Sequence, residues 1–368
     1  MGADKESGGR FRPMYLPLLA VPLAAGLKWG GAGDVWVFLG AGLAIVPLAG
    51  LLGQATEALS VRLGVAWGGL LNATFGNAAE LIIAGFALAR GPELYPVVKA
   101  TITGSIIGNL LLVVGLGALA GGMRFSVQKF SRTLAGASAT SLAIACAGLL
   151  VPTLLYHLGR ADSHPADHTA RKVENVSEEI AVILIALYGL SLLFTLRTHR
   201  HLFTTVPGDG GEPDWGTRRA TLILLAATAA LAVLSEWLVG AVRPAARATG
   251  MNDLFVGVIV VAVIGNAAEH ATAVMMARRG RIGLALQIGI GSSRQIALFV
   301  APVLVLLSLA MGHEHPLDLH FTRLEVAALF LSVAVTALVC NDGETNWFEG
   351  AMLVALYLIL ALAFYHVG

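Results

Sequence analysis

Charge is the scarcest property of this sequence. Asp, Glu, Lys and Arg supply 13% of its 368 residues, about half of the roughly 25% usual in soluble proteins. A globule of this length needs more solvated surface than that, which excludes a soluble enzyme and a disordered chain. Net charge is +1, so there is no basic footprint and no nucleic-acid partner is expected. Cysteine is nearly absent. Cys146 and Cys340 each stand alone in an apolar run, leaving no disulfide framework and no thiolate metal cluster; both read as small apolar residues of packed helices. Aromatic residues are few, at 7%, and the ten-residue alternating strands of a transmembrane β-barrel do not recur. No His-Glu-x-x-His, Ser/Lys pair or paired-aspartate motif is present, so an intramembrane enzyme is not expected.

What is abundant is apolar and small: 57% of residues are hydrophobic and 43 are glycine. Small residues let membrane helices approach closely, so the composition is that of an all-α polytopic membrane protein. A span needs about 20 apolar residues. Eleven runs qualify, near 14–29, 34–53, 66–89, 95–120, 132–157, 177–196, 220–242, 252–277, 283–311, 324–340 and 347–366. The first follows Lys5, Arg10 and Arg12 but precedes no small-residue cleavage site in a polar break, and it reads as a retained helix rather than a signal peptide. With the N-terminus inside, the cytoplasmic loops collect the excess of basic residues, including Arg62, Arg124, Lys129, Arg132, Arg197, Arg218, Arg219, Arg278, Arg279 and Arg281. The expected orientation is therefore N-terminus cytoplasmic and C-terminus outside. Arginine outnumbers lysine and no eukaryotic sorting signal is evident, which points to a prokaryotic plasma membrane, with a vacuole-like membrane as the alternative.

One pentapeptide occurs twice. Gly76-Asn77-Ala78-Ala79-Glu80 recurs as Gly265-Asn266-Ala267-Ala268-Glu269, 189 residues later, each time inside an apolar run. The stretch 199–219, with Pro207, Gly208, Asp209, Gly210, Gly211, Glu212, Pro213 and Asp214, reads as a flexible linker. The expected organisation is a tail and first helix over 1–33, a five-helix repeat over 34–198, the cytoplasmic linker 199–219, and a second five-helix repeat over 220–368. An odd number of spans reverses the direction of the next set, so the repeats are inverted, the arrangement of secondary transporters with a site near the bilayer midplane. The following helices correspond as well: Gly104-Ser105-Ile106-Ile107-Gly108-Asn109 against Gly289-Ile290-Gly291-Ser292-Ser293-Arg294-Gln295, with Asn109 aligned to Gln295.

A carboxylate deep in a membrane costs about 2.5–3.5 kcal/mol on insertion scales, so two in equivalent positions point to function. Within each motif the Asn and Glu are three apart and share a helix face. If the two helices cross at Gly76 and Gly265, Glu80 and Glu269 face one another. Asn77, Asn266, Ser105, Asn109, Ser292 and Gln295 then ring them with neutral oxygens. Oxygen ligands with two carboxylates suit a hard divalent cation such as Ca²⁺ or Mn²⁺. Metal binding needs deprotonated ligands, so cation and proton compete for one site, which is the coupling rule of an antiporter. The expected substrates are Ca²⁺ and H⁺, with the lipid bilayer as surroundings and no cofactor. Exchange of Mn²⁺ or Na⁺ against H⁺, exchange of Ca²⁺ against Na⁺, and a cation channel stay open as alternatives on this reading. His270, next to Glu269, is a candidate proton relay or a cross-bundle hydrogen bonder. Glu57 and Glu236 are expected to end the first helix of each repeat, as gating or proton-path residues or as ordinary helix-end charges. His157, His164, His168, His313, His315 and His320 fall in outer loops, as solvated residues or a pH or metal sensor.

These residues resemble a known family, the cation/proton exchangers of the calcium/cation antiporter superfamily, over nearly the whole chain. Leu70-Leu71-Asn72-Ala73-Thr74-Phe75-Gly76-Asn77-Ala78-Ala79-Glu80-Leu81 is similar to the first repeat signature and Gly265-Asn266-Ala267-Ala268-Glu269-His270 to the second. Gly291-Ser292-Ser293, Gln295 to Val300, Asp342-Gly343 with Asn346-Trp347, and Glu349-Gly350 resemble later ones. The sodium/calcium branch carries a Pro before its first acidic residue, which this sequence lacks. The resemblance implies a peripheral N-terminal helix plus two inverted five-helix repeats, and Ca²⁺ export driven by entering protons. It implies Glu80 and Glu269 as essential carboxylates, with Asn77, Asn266, Ser105, Asn109, Ser292 and Gln295 in support. The family often has an acidic helix between the halves, whereas here the linker holds only Asp209, Glu212 and Asp214. A second departure is Arg294, beside Gln295, where an apolar or small residue is expected. With Gln295 facing the site, Arg294 points about 100° away.

Overall fold

The computed structural model describes residues 17–161, 166–199 and 215–367, and it is almost entirely helical there. Expectations for the tail 1–16, for His164 and for most of the linker fall outside the described residues, as does the side chain of His168. In chain order the helices are α1 (Pro17–Trp29), α2 (Asp34–Phe75), α3 (Ala78–Ala89), α4 (Pro92–Gly122), α5 (Arg132–Ala161), α6 (Ala166–Leu193), α7 (Thr217–Thr249), α8 (Asp253–Arg278), α9 (Ile282–Ala310), α10 (Arg323–Val339) and α11 (Trp347–His366). Eight of these segments are long and apolar enough to cross a membrane; α1 and α3 are shorter apolar helices.

Local chemistry marks the ends. Thr322 and Glu325 form a reciprocal capping box at the start of α10, and the Asn346 side chain accepts the Phe348 and Glu349 N–H groups at the start of α11. Gly250 closes α7 in the left-handed conformation at φ +71°, which only glycine adopts without cost.

Three expectations need correction. Residues 54–65 are helical, not a loop. The Ser60 hydroxyl nevertheless donates to the Gly68 carbonyl at 2.9 Å. Eight residues of straight helix would hold them about 12 Å apart, so α2 folds back sharply between them. Glu236 does not end a helix, and Glu57 stands one turn before the fold-back of α2 without ending its helical run. They lie inside α2 and α7, and both are exposed; the apolar stretch simply continues helical past each acid. Finally, the third span, 66–89, is interrupted at Gly76-Asn77.

Helices α4 and α8 form the centre. α4 is the most enclosed span and α6 the most exposed. α4 and α8 touch backbone to backbone: a Cβ on Gly104 would stand 2.2 Å from the Val258 carbonyl oxygen, and one on Gly257 2.5 Å from the Ala100 Cβ. α2 and α7 pack along most of their lengths as a pair. A two-residue antiparallel ribbon, Gln128–Lys129 with Glu344–Thr345, joins the α4–α5 and α10–α11 connections. π-helical turns interrupt α4 at Gly108–Val113, α8 at Val256–Val261 and α9 at Ile296–Val300. Such turns concentrate at functional sites.

Candidate ion-binding site

The two copies of the pentapeptide adopt different backbones. In the second, Gly265 to Glu269 are continuous helix within α8. In the first, the helix stops after Phe75, Asn77 takes φ −108° and ψ 26°, and α3 restarts at Ala78. Asn77 is thus the N-cap of α3, but its side chain does not cap. Its amide NH₂ donates to Gln295 Oε1, and its carbonyl oxygen accepts from the Ser292 hydroxyl at 3.2 Å. Glu80 falls in the first turn of α3, with its carboxylate against its own backbone N–H. A helix N-terminus favours negative charge there. Glu269 has no such neighbour, because its helix runs straight through.

The opposite half mirrors this. Asn109 Nδ2 donates to Asn266 Oδ1 at 3.1 Å, and Asn266 Nδ2 donates to Ser105 Oγ at 2.9 Å. Each motif asparagine is therefore held by the following helix of the other half: Asn77 by Ser292 and Gln295 of α9, Asn266 by Ser105 and Asn109 of α4. Asn77, Ser105, Asn109 and Asn266 are at most 2% exposed and Glu80 is 4% exposed. Glu269 and Gln295 are half-buried.

The two glutamates come close enough for their charges to interact, and Glu269 also faces Ser292 and Asn109. The crossing differs from the glycine-on-glycine contact expected. Gly265 lies under Glu80, where a Cβ would be 3.6 Å from the Glu80 Cγ. Gly76 instead belongs to the interrupting turn and faces Gln295. Glu80 Oε2, Glu269 Oε2 and Asn109 Oδ1 are buried and meet no donor among the described residues. Buried acceptors are almost always satisfied in proteins. Acceptor oxygens gathered without donors, two of them carboxylate, are what a hard cation or a proton coordinates. Among the described residues no three His, Cys, Asp or Glu side chains converge on a point, so the donor set is carboxylate plus amide and hydroxyl.

The other expected residues lie apart. His270 is half-buried, and its Nε2 meets no partner among the described residues. Glu57 and Glu236 are exposed and join no part of this network. Arg294 is half-buried, its Nε meets no partner among the described residues, and Tyr188 of α6 lies near enough for its charge to be felt. His157, His313, His315 and His320 gather at one end of the molecule. His320 stacks on Tyr156 at 4.0 Å and His315 reaches Glu174 at 3.1 Å.

A second polar cluster was missed in the sequence. Glu325 is 2% exposed and accepts the Thr103 hydroxyl at 2.9 Å. Lys99, one turn before Thr103, pairs with Asp318. The pattern Thr322-x-x-Glu325 was a readable signal of the capping box.

The family model described as sodium/calcium exchanger protein matches residues 33–197 and 219–366. A Ca²⁺/H⁺ antiporter of Synechocystis is 43% identical, covering 96% of this chain and 97% of its own. A Ca²⁺/H⁺ antiporter of Bacillus subtilis is 42% identical, covering 87% and 89%. The solved structure of native YfkE superposes with a TM-score of 0.80 at 37% identity, covering 96% of this chain and 99% of that one. With the family model matched across both halves and relatives above 40% identity nearly end to end, this chain belongs to the sodium/calcium exchanger protein family, in its cation/proton exchanger branch.

Proposed function

We propose that this protein is a secondary antiporter that exports Ca²⁺ in exchange for H⁺ by alternating access. The observation that carries the reading is the pair Glu80 and Glu269: close together, each with one buried carboxylate oxygen, Oε2, that meets no donor among the described residues. Two carboxylates with the amide and hydroxyl oxygens around them hold Ca²⁺ when deprotonated. The same two oxygens take protons when it leaves. A site that is stable only when loaded with one or the other couples the two flows. No bond is made or broken in a substrate, so the protein is not an enzyme. The names of its relatives, Ca²⁺/H⁺ antiporters in Synechocystis and Bacillus subtilis, favour Ca²⁺ over the other cations.

The proposed arrangement is a peripheral first helix, then two inverted repeats of five spans over 34–198 and 220–368, joined by the linker 199–219. The reciprocal bonding of Asn77 and Asn266 supports it. The N-terminus is cytoplasmic, the C-terminus outside, and the membrane a prokaryotic plasma membrane. Asn77, Asn266, Ser105, Asn109, Ser292 and Gln295 orient the two glutamates, and His270 borders Glu269.

The test is uptake of ⁴⁵Ca²⁺ into proteoliposomes under an imposed proton gradient without sodium. Uptake and matching proton movement are expected. Glu80→Gln and Glu269→Gln are each expected to lower uptake at least tenfold, the scale of one lost charged ligand at 1.5–3 kcal/mol. Uptake that survives both substitutions sinks the site; uptake that needs sodium and moves no protons sinks the coupling.

A further inference from the structure

Outside the ion site, a groove of about 550 Å³ lies between α5 and α10. One wall is the exposed face of α5, where Gly136, Ala143 and Ala147 follow one another; Ala337 of α10 forms part of the other. The hydroxyl of Thr140 on this wall donates to Gly136 O of its own helix at 2.9 Å, so the trough is apolar throughout. Its mouth is different. Arg132 and Asn341 stand there, the guanidinium donating to Asn341 Oδ1 at 3.3 Å. No carboxylate pairs with Arg132 among the described residues: Glu344 is taken by Lys129 at 3.0 Å, and Asp342 accepts the Glu344 N–H at 3.0 Å. The same face carries Arg124, which bonds the Arg278 carbonyl at 3.3 Å.

The groove has the length of one leaflet. From Arg132 to Ala147, fifteen residues of helix rise about 22 Å. That is half of the roughly 40–45 Å bilayer with its headgroups. An arginine at headgroup level above an apolar trough ending at the midplane has the charge and the reach for one lipid.

We propose that this groove binds an anionic phospholipid, with its phosphate on Arg132 and Asn341 and one acyl chain lying along Gly136, Ala143 and Ala147. A second protein copy fits less well, because the trough stops at mid-membrane and offers an unneutralised cation.

The test is independent of transport. Purified protein is loaded with phosphatidylglycerol or phosphatidylcholine, and lipid retained through a detergent wash is counted by native mass spectrometry. Wild type is expected to keep about one more phosphatidylglycerol than phosphatidylcholine per chain. Arg132→Gln is expected to weaken phosphatidylglycerol retention about fivefold, the effect of one arginine at an anionic surface, while Arg218→Gln does not. Ala143→Phe, which fills the trough, is expected to lower retention of both lipids. Three results overturn the proposal: equal retention of the two lipids by wild type, equal losses from R132Q and R218Q, or efficient cross-linking of two copies through A143C.

Discussion

Gly104→Ala adds one methyl group where the structure leaves no room for it. The new Cβ would stand 2.2 Å from the Val258 oxygen, 2.5 Å from its Cα and 2.6 Å from its carbonyl carbon. These are backbone atoms of another helix, so no side chain can swing aside. Ordinary carbon contacts lie at about 3.5–4.0 Å, so α4 and α8 must separate by roughly 1 Å or more. Overpacking of this kind costs about 1–3 kcal/mol. The separation has a second effect. Ser105, the next residue, accepts from Asn266 of α8 at 2.9 Å. An added ångström carries that bond beyond the roughly 3.2 Å limit of N–H···O geometry, with a further loss of about 1 kcal/mol. The sum is about 2–4 kcal/mol, and Asn266 loses its orientation. Gly108, one turn further along α4, is the matched control, because nothing lies within 4 Å of its added Cβ. The expected outcome is a clearly lower apparent melting temperature in detergent and at least a tenfold loss of proton-driven Ca²⁺ uptake for G104A. G108A should keep the wild-type melting temperature. A G104A protein that melts and transports like wild type refutes the claim that backbone contact at this crossing sets the geometry of the site.

Two further outcomes follow from named contacts. Asn77→Ala and Gln295→Ala remove the two ends of one hydrogen bond, so their effects on apparent Ca²⁺ affinity should be strongly non-additive, with a coupling of about 0.5–3 kcal/mol; simple additivity in the double-mutant cycle would show that the bond does not act in the loaded site. His320 lies in the α9–α10 loop, where burial, with help from Lys99 and His157 and against Asp318, pushes its imidazole below the ordinary histidine value. The unfolded chain therefore binds that proton more readily, so the contribution to stability is complete above about pH 6.5 and declines as pH falls below it. Melting curves from pH 7.5 to 5.5 should show a shallower acid decline for H320Q than for wild type, and parallel declines would exclude this histidine as a cause.

Much of the architecture is legible because apolar runs must be long to cross a membrane and because an acid inside one is rare. Glu80, Glu269 and their asparagines stand out for that reason. What stays hidden is set by tertiary contact. The same five residues form an uninterrupted helix at 265–269 and an interruption at 76–77, so local propensity cannot distinguish them. The difference lies in where the Asn77 amide goes, to Gln295 and Ser292 more than two hundred residues away. Glu236 was misplaced because a hydropathy dip looks like a loop, whereas a helix carries an exposed acid at little cost. The π turns left no mark in composition.

The small ribbon between the two loops carries a mechanical implication. Phe130 N–H bonds the Gly343 carbonyl at 2.9 Å. Beside it α4 and α11 are seamed through glycine: a Cβ on Gly350 would stand 2.3 Å from the Leu119 nitrogen, and one on Gly122 2.4 Å from that of Trp347. α2 meets α8 differently: Gly42 presses on the tip of the Ile264 side chain, which can rotate. One part of the molecule is thus riveted main chain to main chain and the other rests on deformable ends. A load across the molecule is therefore borne without give at the glycine seams and is taken up first at the Ile264 tip.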